Sequence, residues 1–293
     1  MRIGVDLGGT KIEVAVLDGA GEVALRRRVA TPRSYDGVLE AIAGLVAGAE
    51  AEMGAGCSVG IGIPGSLSPA TGLVRGANST WLNGGQLQQD LERKLARPIR
   101  LSNDANCLAM SEAADGAAAG EAMVFAAILG TGVGAGLVID GRVIEGANRV
   151  AGEWGHNPLP WMSRDEHPGR RCWCGGVGCI ETFLCGPALA ADADGPEARD
   201  ASALPARAAA GDGQAAAALA RHSHRLARAL AHVINMLDPH CIVLGGGLSN
   251  MAHLYVEVPR LWGQWVFSDV VRTRLVPARH GDSSGVLGAA RLW

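Results

Sequence analysis

Six residues with reactive or metal-binding side chains fall within one glycine-punctuated stretch: Glu153, His156, Cys172, Cys174, Cys179 and Glu181. Cys172-x-Cys174, then four residues, then Cys179, with a histidine upstream, offers three thiolates and an imidazole. That is the tetrahedral donor set of a structural zinc ion. Four protein ligands leave no open position for a metal-bound water. The metal would therefore shape the loop, and Glu153 and Glu181, which bracket the ligands, are left to meet a polar substrate. Gly155, Gly175, Gly176 and Gly178 supply the tight backbone that closely spaced ligands require. The alternative is that the cysteines are small buried residues and His156 a surface histidine.

Asp104 is the candidate catalytic carboxylate. It stands where a strand at 99–101 gives way to a helical pattern over 107–118, so its side chain would project from the carboxyl edge of a sheet, where α/β folds bind ligands. An aspartate at that point also suits a helix N-cap. Residues 2–17 read as strand, tight turn and strand, with Gly8-Gly9-Thr10-Lys11 at the turn and Asp6 at the strand end. Such a turn can offer backbone N–H groups, a hydroxyl and an ammonium to phosphate oxygens, and Asp6 can hold magnesium through water. The turn does not open a helix, so it is neither a dinucleotide fingerprint nor a Walker loop. Residues 123–138 repeat the design with Gly130, Thr131 and Gly132 at the turn, which suggests an internal duplication with one phosphate-grasping turn on each side of a cleft. A buried strand at 241–244 runs into Gly245-Gly246-Gly247, where a planar base or ribose could lie directly on the backbone.

The supporting elements are legible as periodicity. Val38, Leu39, Ile42, Leu45, Val46 and Ala49 form one helix stripe, and Leu219, His222, Leu226, Leu230, Val233, Ile234 and Leu237 form a longer one that stops at Asp238-Pro239. Residues 59–64 read as a buried strand, 76–81 as a polar loop carrying Asn78, and Arg26-Arg27-Arg28 as a solvated strand end.

At 293 residues with 48% hydrophobic composition, the chain can bury a large core. A formal net charge of -3, from 26 basic and 29 acidic residues dispersed along the sequence, gives no electrostatic case for nucleic acid or an anionic membrane. No apolar run reaches the roughly 18 residues of a membrane span. Seven unevenly spaced cysteines, without a signal peptide ahead of the first strand, point to a reducing compartment and metal binding rather than disulfides. A soluble, cytoplasmic protein is expected.

Taken together, Asp6-Leu7-Gly8-Gly9-Thr10-Lys11, Asn103-Asp104-Ala105-Asn106, Gly130-Thr131-Gly132-x-Gly134-x-Gly136, Glu153-x-Gly155-His156, Cys172-x-Cys174-Gly175-x-x-Gly178-Cys179-x-Glu181 and Leu244-Gly245-Gly246-Gly247 resemble the ROK sugar kinases over essentially the whole chain. The stretches at 77–84, 151–161 and 280–286 look like those of the bacterial fructokinases that also act on mannose. The resemblance implies an α/β, two-domain actin-like ATPase and sugar kinase (ribonuclease H-like) fold with its active site in the cleft between domains. The expected division is 1–117 plus 281–293 for the small domain and 118–280 for the large one, which carries the zinc loop at 151–181. The implied reaction is ATP-dependent phosphorylation of fructose, and of mannose, at the 6-hydroxyl, with glucose or an N-acetylhexosamine as the alternative acceptor and a non-catalytic sugar sensor as the rival. By resemblance Asp104 is the general base and Asn78, Asn103, Glu153, His156 and Glu181 are the sugar-binding set. Asp6, Gly8, Gly9, Thr10, Lys11, Gly130, Thr131 and Gly132 would handle the phosphates, and Gly245, Gly246 and Gly247 the nucleoside. His156, Cys172, Cys174 and Cys179 would hold structural zinc, with Mg²⁺ accompanying ATP, in a homodimer.

Overall fold

The structure, a computed structural model, describes residues 1–54 and 56–293. In chain order the elements begin with β1 (Arg2–Leu7), β2 (Lys11–Leu17), β3 (Val23–Ala30), α1 (Tyr35–Met53), β4 (Ser58–Ile63), β5 (Ser66–Leu67) and β6 (Val74–Arg75). They continue with α2 (Leu87–Leu95), β7 (Arg100–Asn103), α3 (Asp104–Ala114), β8 (Met123–Leu129), β9 (Val133–Ile139) and β10 (Arg142–Val143). The remainder comprises α4 (Glu181–Leu184), α5 (Gly186–Asp194), α6 (Leu204–Ala209), α7 (Gly213–Leu237), β11 (Cys241–Gly245), α8 (Leu254–Trp262), β12 (Arg274–Pro277) and α9 (Ser284–Ala290). No helix among the described residues is long and apolar enough to cross a membrane.

Two compact units emerge. The first comprises Met1–Gly120, Gly136–Ala151 and Arg279–Trp293; the second comprises Glu121–Ala135 and Gly152–Ala278. The sequence expectation had placed the whole of 118–280 in one domain, and the structure returns Gly136–Ala151 to the first unit. The reason is local contact: a Cβ on Gly136 would meet the Ala105 carbonyl at 2.4 Å, Ser102 Oγ donates to Glu145 at 3.2 Å, and Arg75 donates to the Asn148 carbonyl at 2.9 Å.

The two five-stranded sheets share one plan. Their orders are β3-β2-β1-β4-β7 and β10-β9-β8-β11-β12, so each reads third, second, first, fourth, fifth in its own chain order. This common topology is what the repeated hairpin design implied. In the first unit β1, β4 and β7 run parallel, β2 returns antiparallel to β1, and β3 is antiparallel to β2. β1 and β4 are apolar on both faces because both faces are covered. One cover is α9, which lies almost directly on backbone: a Cβ on Gly4 would fall 2.0 Å from the Val286 carbonyl, and one on Gly60 1.9 Å from that of Ala289. The other face receives α1, capped by Ser34 Oγ accepting from the Gly37 N–H and burying Val38, Ile42, Leu45, Val46 and Ala49.

The edge strand β3 departs from expectation. Arg26 and Arg28 are not merely solvated, since strand alternation turns both toward Glu13, which is 1% exposed on β2. Arg27 points the other way and pairs with Glu52 on α1.

In the second unit β8, β11 and β12 are parallel. The long helix α7 is capped by Asp212, whose carboxylate accepts from the Gln214 and Ala215 N–H groups, and it ends at left-handed Asp238 before Pro239. Its buried face includes Leu219, His222, Leu226, Leu230, Val233 and Ile234. His222 belongs to the core: Nε2 lies 3.1 Å from the Leu184 carbonyl, and burial holds the ring down at about 4.

Candidate active site and metal centre

In the first unit the parallel strands β1, β4 and β7 end together and deliver Asp6, the Gly8 turn and Asp104 to one carboxyl edge. Asp104 is exposed and is the first residue of α3. The capping role belongs to its neighbour: Asn103 Oδ1 accepts from the Asn106 N–H at 2.8 Å, because Asn103 keeps extended backbone while Asp104 is already helical. Asp104 Oδ1 instead lies 2.8 Å from the Ala105 N–H. Asp6 is near enough to feel it. Burial first, then the charges of Asp104 and Glu13, raise the Asp6 carboxyl to about 6, with Lys11 opposing. A paired-carboxylate edge of this kind favours a divalent cation. Gly285 makes room for it, since a Cβ there would come within 3.0 Å of the Asp6 carboxyl group.

The Gly8 turn is closed by the Gly8 N–H donating to the Lys11 carbonyl at 2.9 Å, and Thr31 clasps it through its hydroxyl to the Gly8 carbonyl at 2.7 Å. Asn78 is exposed on a loop stapled by Asn83, whose amide both accepts from the Ala77 N–H at 2.9 Å and donates to the Ala77 carbonyl at 3.0 Å.

In the second unit the side-chain donor atoms of His156, Cys172, Cys174 and Cys179 all lie within 4.8 Å of one another. Cys172 Sγ is 3.6 Å from His156 Nδ1, and Cys174 Sγ is 3.7 Å from Cys179 Sγ. Zinc bonds of about 2.0–2.3 Å give tetrahedral edges of about 3.4–3.8 Å; these two separations match that range, and the four donors are close enough to hold the ion together. Burial raises the Cys172 thiol and takes Cys179 to about 12, whereas the Gly176 N–H lowers that of Cys174. A dication is what makes three such neighbouring thiolates compatible. His156 sits on a short 3-10 turn, Glu153–His156, fixed from below: the Trp154 indole donates to the Gly134 carbonyl at 3.1 Å, and a Cβ on Gly155 would meet the Val133 carbonyl at 2.1 Å. Nδ1 thus faces the sulfurs while Nε2 lies 4.0 Å from Glu153.

Glu181 links this knuckle to the second glycine turn. Its Oε2 accepts from the Val133 N–H at 3.0 Å and its Oε1 from the Trp173 indole N–H at 2.8 Å. A Cβ on Gly132 would stand 2.8 Å from Oε2. The triple glycine reaches the same sheet edge, because Gly245 is in register with Ile128 of β8. Gly246, at φ 79°, packs where a Cβ would be 2.5 Å from the Leu129 carbonyl. Gly130, Gly132 and Gly246 therefore form adjoining bare backbone at the ends of β8 and β11.

The site residues expected from sequence fall into two groups. Asp6, Gly8, Gly9, Thr10, Lys11, Asn78, Asn103 and Asp104 belong to the first unit, and Gly130, Thr131, Gly132, Glu153, His156, the three cysteines, Glu181 and the triple glycine to the second. Sequence reasoning missed Asn83, Thr31 and Trp173, and also the anchor of the 162–171 loop. There Glu166 accepts from Arg228 at 2.7 and 2.8 Å and from Arg225 at 2.9 Å. Trp173 alone carried a signal, being the residue between the first two cysteines.

The ROK family model matches residues 2–293. The N-acetyl-D-glucosamine kinase of Photobacterium profundum is 41% identical over 300 residues, covering 100% of this chain and 99% of the relative. Among solved structures, the ROK hexokinase from Thermus thermophilus superimposes with a TM-score of 0.88 at 31% identity, covering 99% of this chain and 97% of that one. The ROK family glucokinase from Streptomyces griseus, in complex with glucose and AMPPNP, gives a TM-score of 0.78 at 29% identity, with 99% and 98% coverage.

Proposed function

Because this chain belongs to the ROK family, we propose that it is an ATP-dependent sugar kinase transferring the γ-phosphoryl group to the 6-hydroxyl of N-acetyl-D-glucosamine. The observation that carries the choice of sugar is the 41% identity, across the whole chain, to an N-acetyl-D-glucosamine kinase. The expectation of fructose and mannose drew on three short stretches, and full-length similarity outweighs them.

In this reading the hydroxyl gives its proton to Asp104 as it attacks phosphorus. Phosphoryl transfer passes through a loose transition state, so positioning and charge neutralisation supply most of the acceleration. The backbone of the two glycine turns and the Lys11 ammonium would meet the phosphate oxygens, and Asp6 would hold the magnesium of Mg-ATP. Gly245-Gly246-Gly247 receives the nucleoside. Glu153, Glu181 and His156 Nε2 take sugar hydroxyls, and Asn78 is a further sugar ligand. With its oxygen committed to the α3 cap, Asn103 offers its amide N–H groups, so it serves as a donor. A zinc ion held by His156 Nδ1, Cys172, Cys174 and Cys179 would fix the loop that carries these groups.

The test is ADP release from Mg-ATP with N-acetylglucosamine, N-acetylmannosamine, glucose, fructose and mannose in parallel. Turnover is expected with N-acetylglucosamine, and Asp104→Asn is expected to lower kcat by ~10²–10⁴ while sugar binding persists. Turnover on fructose alone would restore the fructokinase reading, and no turnover on any sugar would set aside the kinase.

A further inference from the structure

An indole lies between the first two metal ligands, and its environment is unusual. Trp173 is 71% exposed, yet its ring N–H is not left to water: it donates to Glu181 Oε1 at 2.8 Å. The ring also stands edge-on to His156, with centroids 5.0 Å apart and planes at 89°. Cys172 and Cys174 on either side of it are tied by the backbone of the knuckle, with the Cys172 N–H donating to the Gly176 carbonyl at 2.8 Å and the Gly175 N–H to the Cys172 carbonyl at 3.1 Å. So the backbone that carries the indole is fixed by the knuckle, and the ring itself is held by its bond to Glu181 and its edge contact with His156.

We infer that Trp173 is a positioning residue that holds the Glu181 carboxylate at one fixed rotation for a sugar hydroxyl and so makes sugar affinity depend on the integrity of the cysteine loop. This rests on the reading of Glu181 as a sugar ligand. The argument is one of lone pairs. A carboxylate has about four acceptor sites. The Val133 N–H fixes one oxygen and the indole fixes the other, which sets the plane of the group and leaves acceptor capacity for a ligand. Cys172 Sγ also lies 3.7 Å from Oε1, but as a zinc-bound thiolate it has no proton to give, so without the indole the carboxylate keeps a donor at one oxygen only and is free to rotate about that bond. A large apolar ring at 71% exposure has no packing reason to be there, and its single polar atom is spent on the one carboxylate that also touches the Gly132 turn.

The experiment compares the zinc-loaded full chain with Trp173→Phe, Glu181→Gln and the double variant. Phenylalanine keeps the edge contact with His156 and removes only the donor. Isothermal titration with N-acetylglucosamine is expected to show affinity about tenfold weaker in Trp173→Phe, the order of one charge-assisted hydrogen bond at a partly exposed site. The KM for sugar should rise in parallel, while kcat stays within about twofold. Zinc remains at parental stoichiometry, the KM for ATP is unmoved, and on the Glu181→Gln background the Phe substitution has little further effect, as a double-mutant cycle on a coupled pair requires. An affinity within twofold of the parent overturns the inference. So does a loss of zinc that accompanies the loss of affinity, because the indole would then be supporting the knuckle rather than Glu181. If the parent itself binds no sugar, the kinase reading fails with it, and that outcome is recognised in the parent arm alone.

Discussion

Glu166→Gln tests how the 162–171 loop is held. Arg228 is almost fully buried and Glu166 mostly so, and the pair is bidentate, with Arg225 adding a third bond. Arg228 also donates to the Trp161 carbonyl at 2.5 Å, so the same guanidinium grips both ends of the bend. Behind the loop a Cβ on Gly169 would lie 2.4 Å from Gly178 Cα, next to Cys179. Burial works against the charged form of Glu166, but hydrogen bonds from Arg228 and Arg225 overcome it and hold the carboxyl down at about 2, against an ordinary 4.5. A shift of that size corresponds to about 3 kcal/mol of folded-state stability at neutral pH. Removing one partner of a buried pair leads to a similar figure, about 3–5 kcal/mol. The folded pKa is depressed, so the contribution is fully present above pH 4.5 and is lost as pH falls toward 2. Urea unfolding followed by tryptophan fluorescence should therefore show the Gln variant with a midpoint about 1 M lower at pH 7, for an m-value of about 3 kcal/mol/M. The gap should narrow at pH 3. A midpoint shift below about 0.3 M at pH 7, or a gap of equal size at both pH values, would refute the reasoning.

His222 makes a second test of the same sign in a different window. Neutral in the core at about 4 and titrating near 6.5 when unfolded, it supplies stability that is complete above pH 6.5 and falls away between 6.5 and 4. His222→Leu should flatten the pH dependence of the unfolding midpoint in that interval, and an unchanged slope would show that other groups carry it. Gly288→Ala places a Cβ 1.7 Å from the Cys107 carbonyl, a backbone-to-backbone clash between α9 and α3 that no rotamer relieves. A loss of about 3 kcal/mol in thermal or urea unfolding is expected, whereas Gly44→Ala on α1, with open space around it, should be neutral or stabilising.

Much of the site was legible because it is built from local signals. The glycine turns follow apolar strands, the three cysteines lie within eight residues, and the 3.6-residue stripes of α1 and α7 match their buried faces. What escaped was pairing across long separations. The Glu166–Arg228 pair spans 62 residues. Glu112, fully buried, accepts from the N–H groups of Ala117, Arg279 and His280 and from the Ser284 hydroxyl, and nothing in its own segment announces a partner 172 residues away. The arginines of β3 are exposed, as expected, but their own segment does not show that Arg26 and Arg28 share Glu13 of the preceding strand or that Arg27 meets Glu52 on α1. The cap of α3 was missed by one residue, because aspartate and asparagine suit that position equally and only the backbone angle at Asn103 decides.

The bare glycines beneath α9 also bear on the order of biosynthesis. β1 is made long before α9, yet the two lie backbone to backbone, so one β1–β4 face stays uncovered until α9 has been made. The second unit is encoded wholly within 121–278 and can close while that face is still bare. Completion of the first unit's sheet thus waits for a helix made after the whole of the second unit, and until then the nascent first unit leaves uncovered Ala15 and Leu17, which α9 buries.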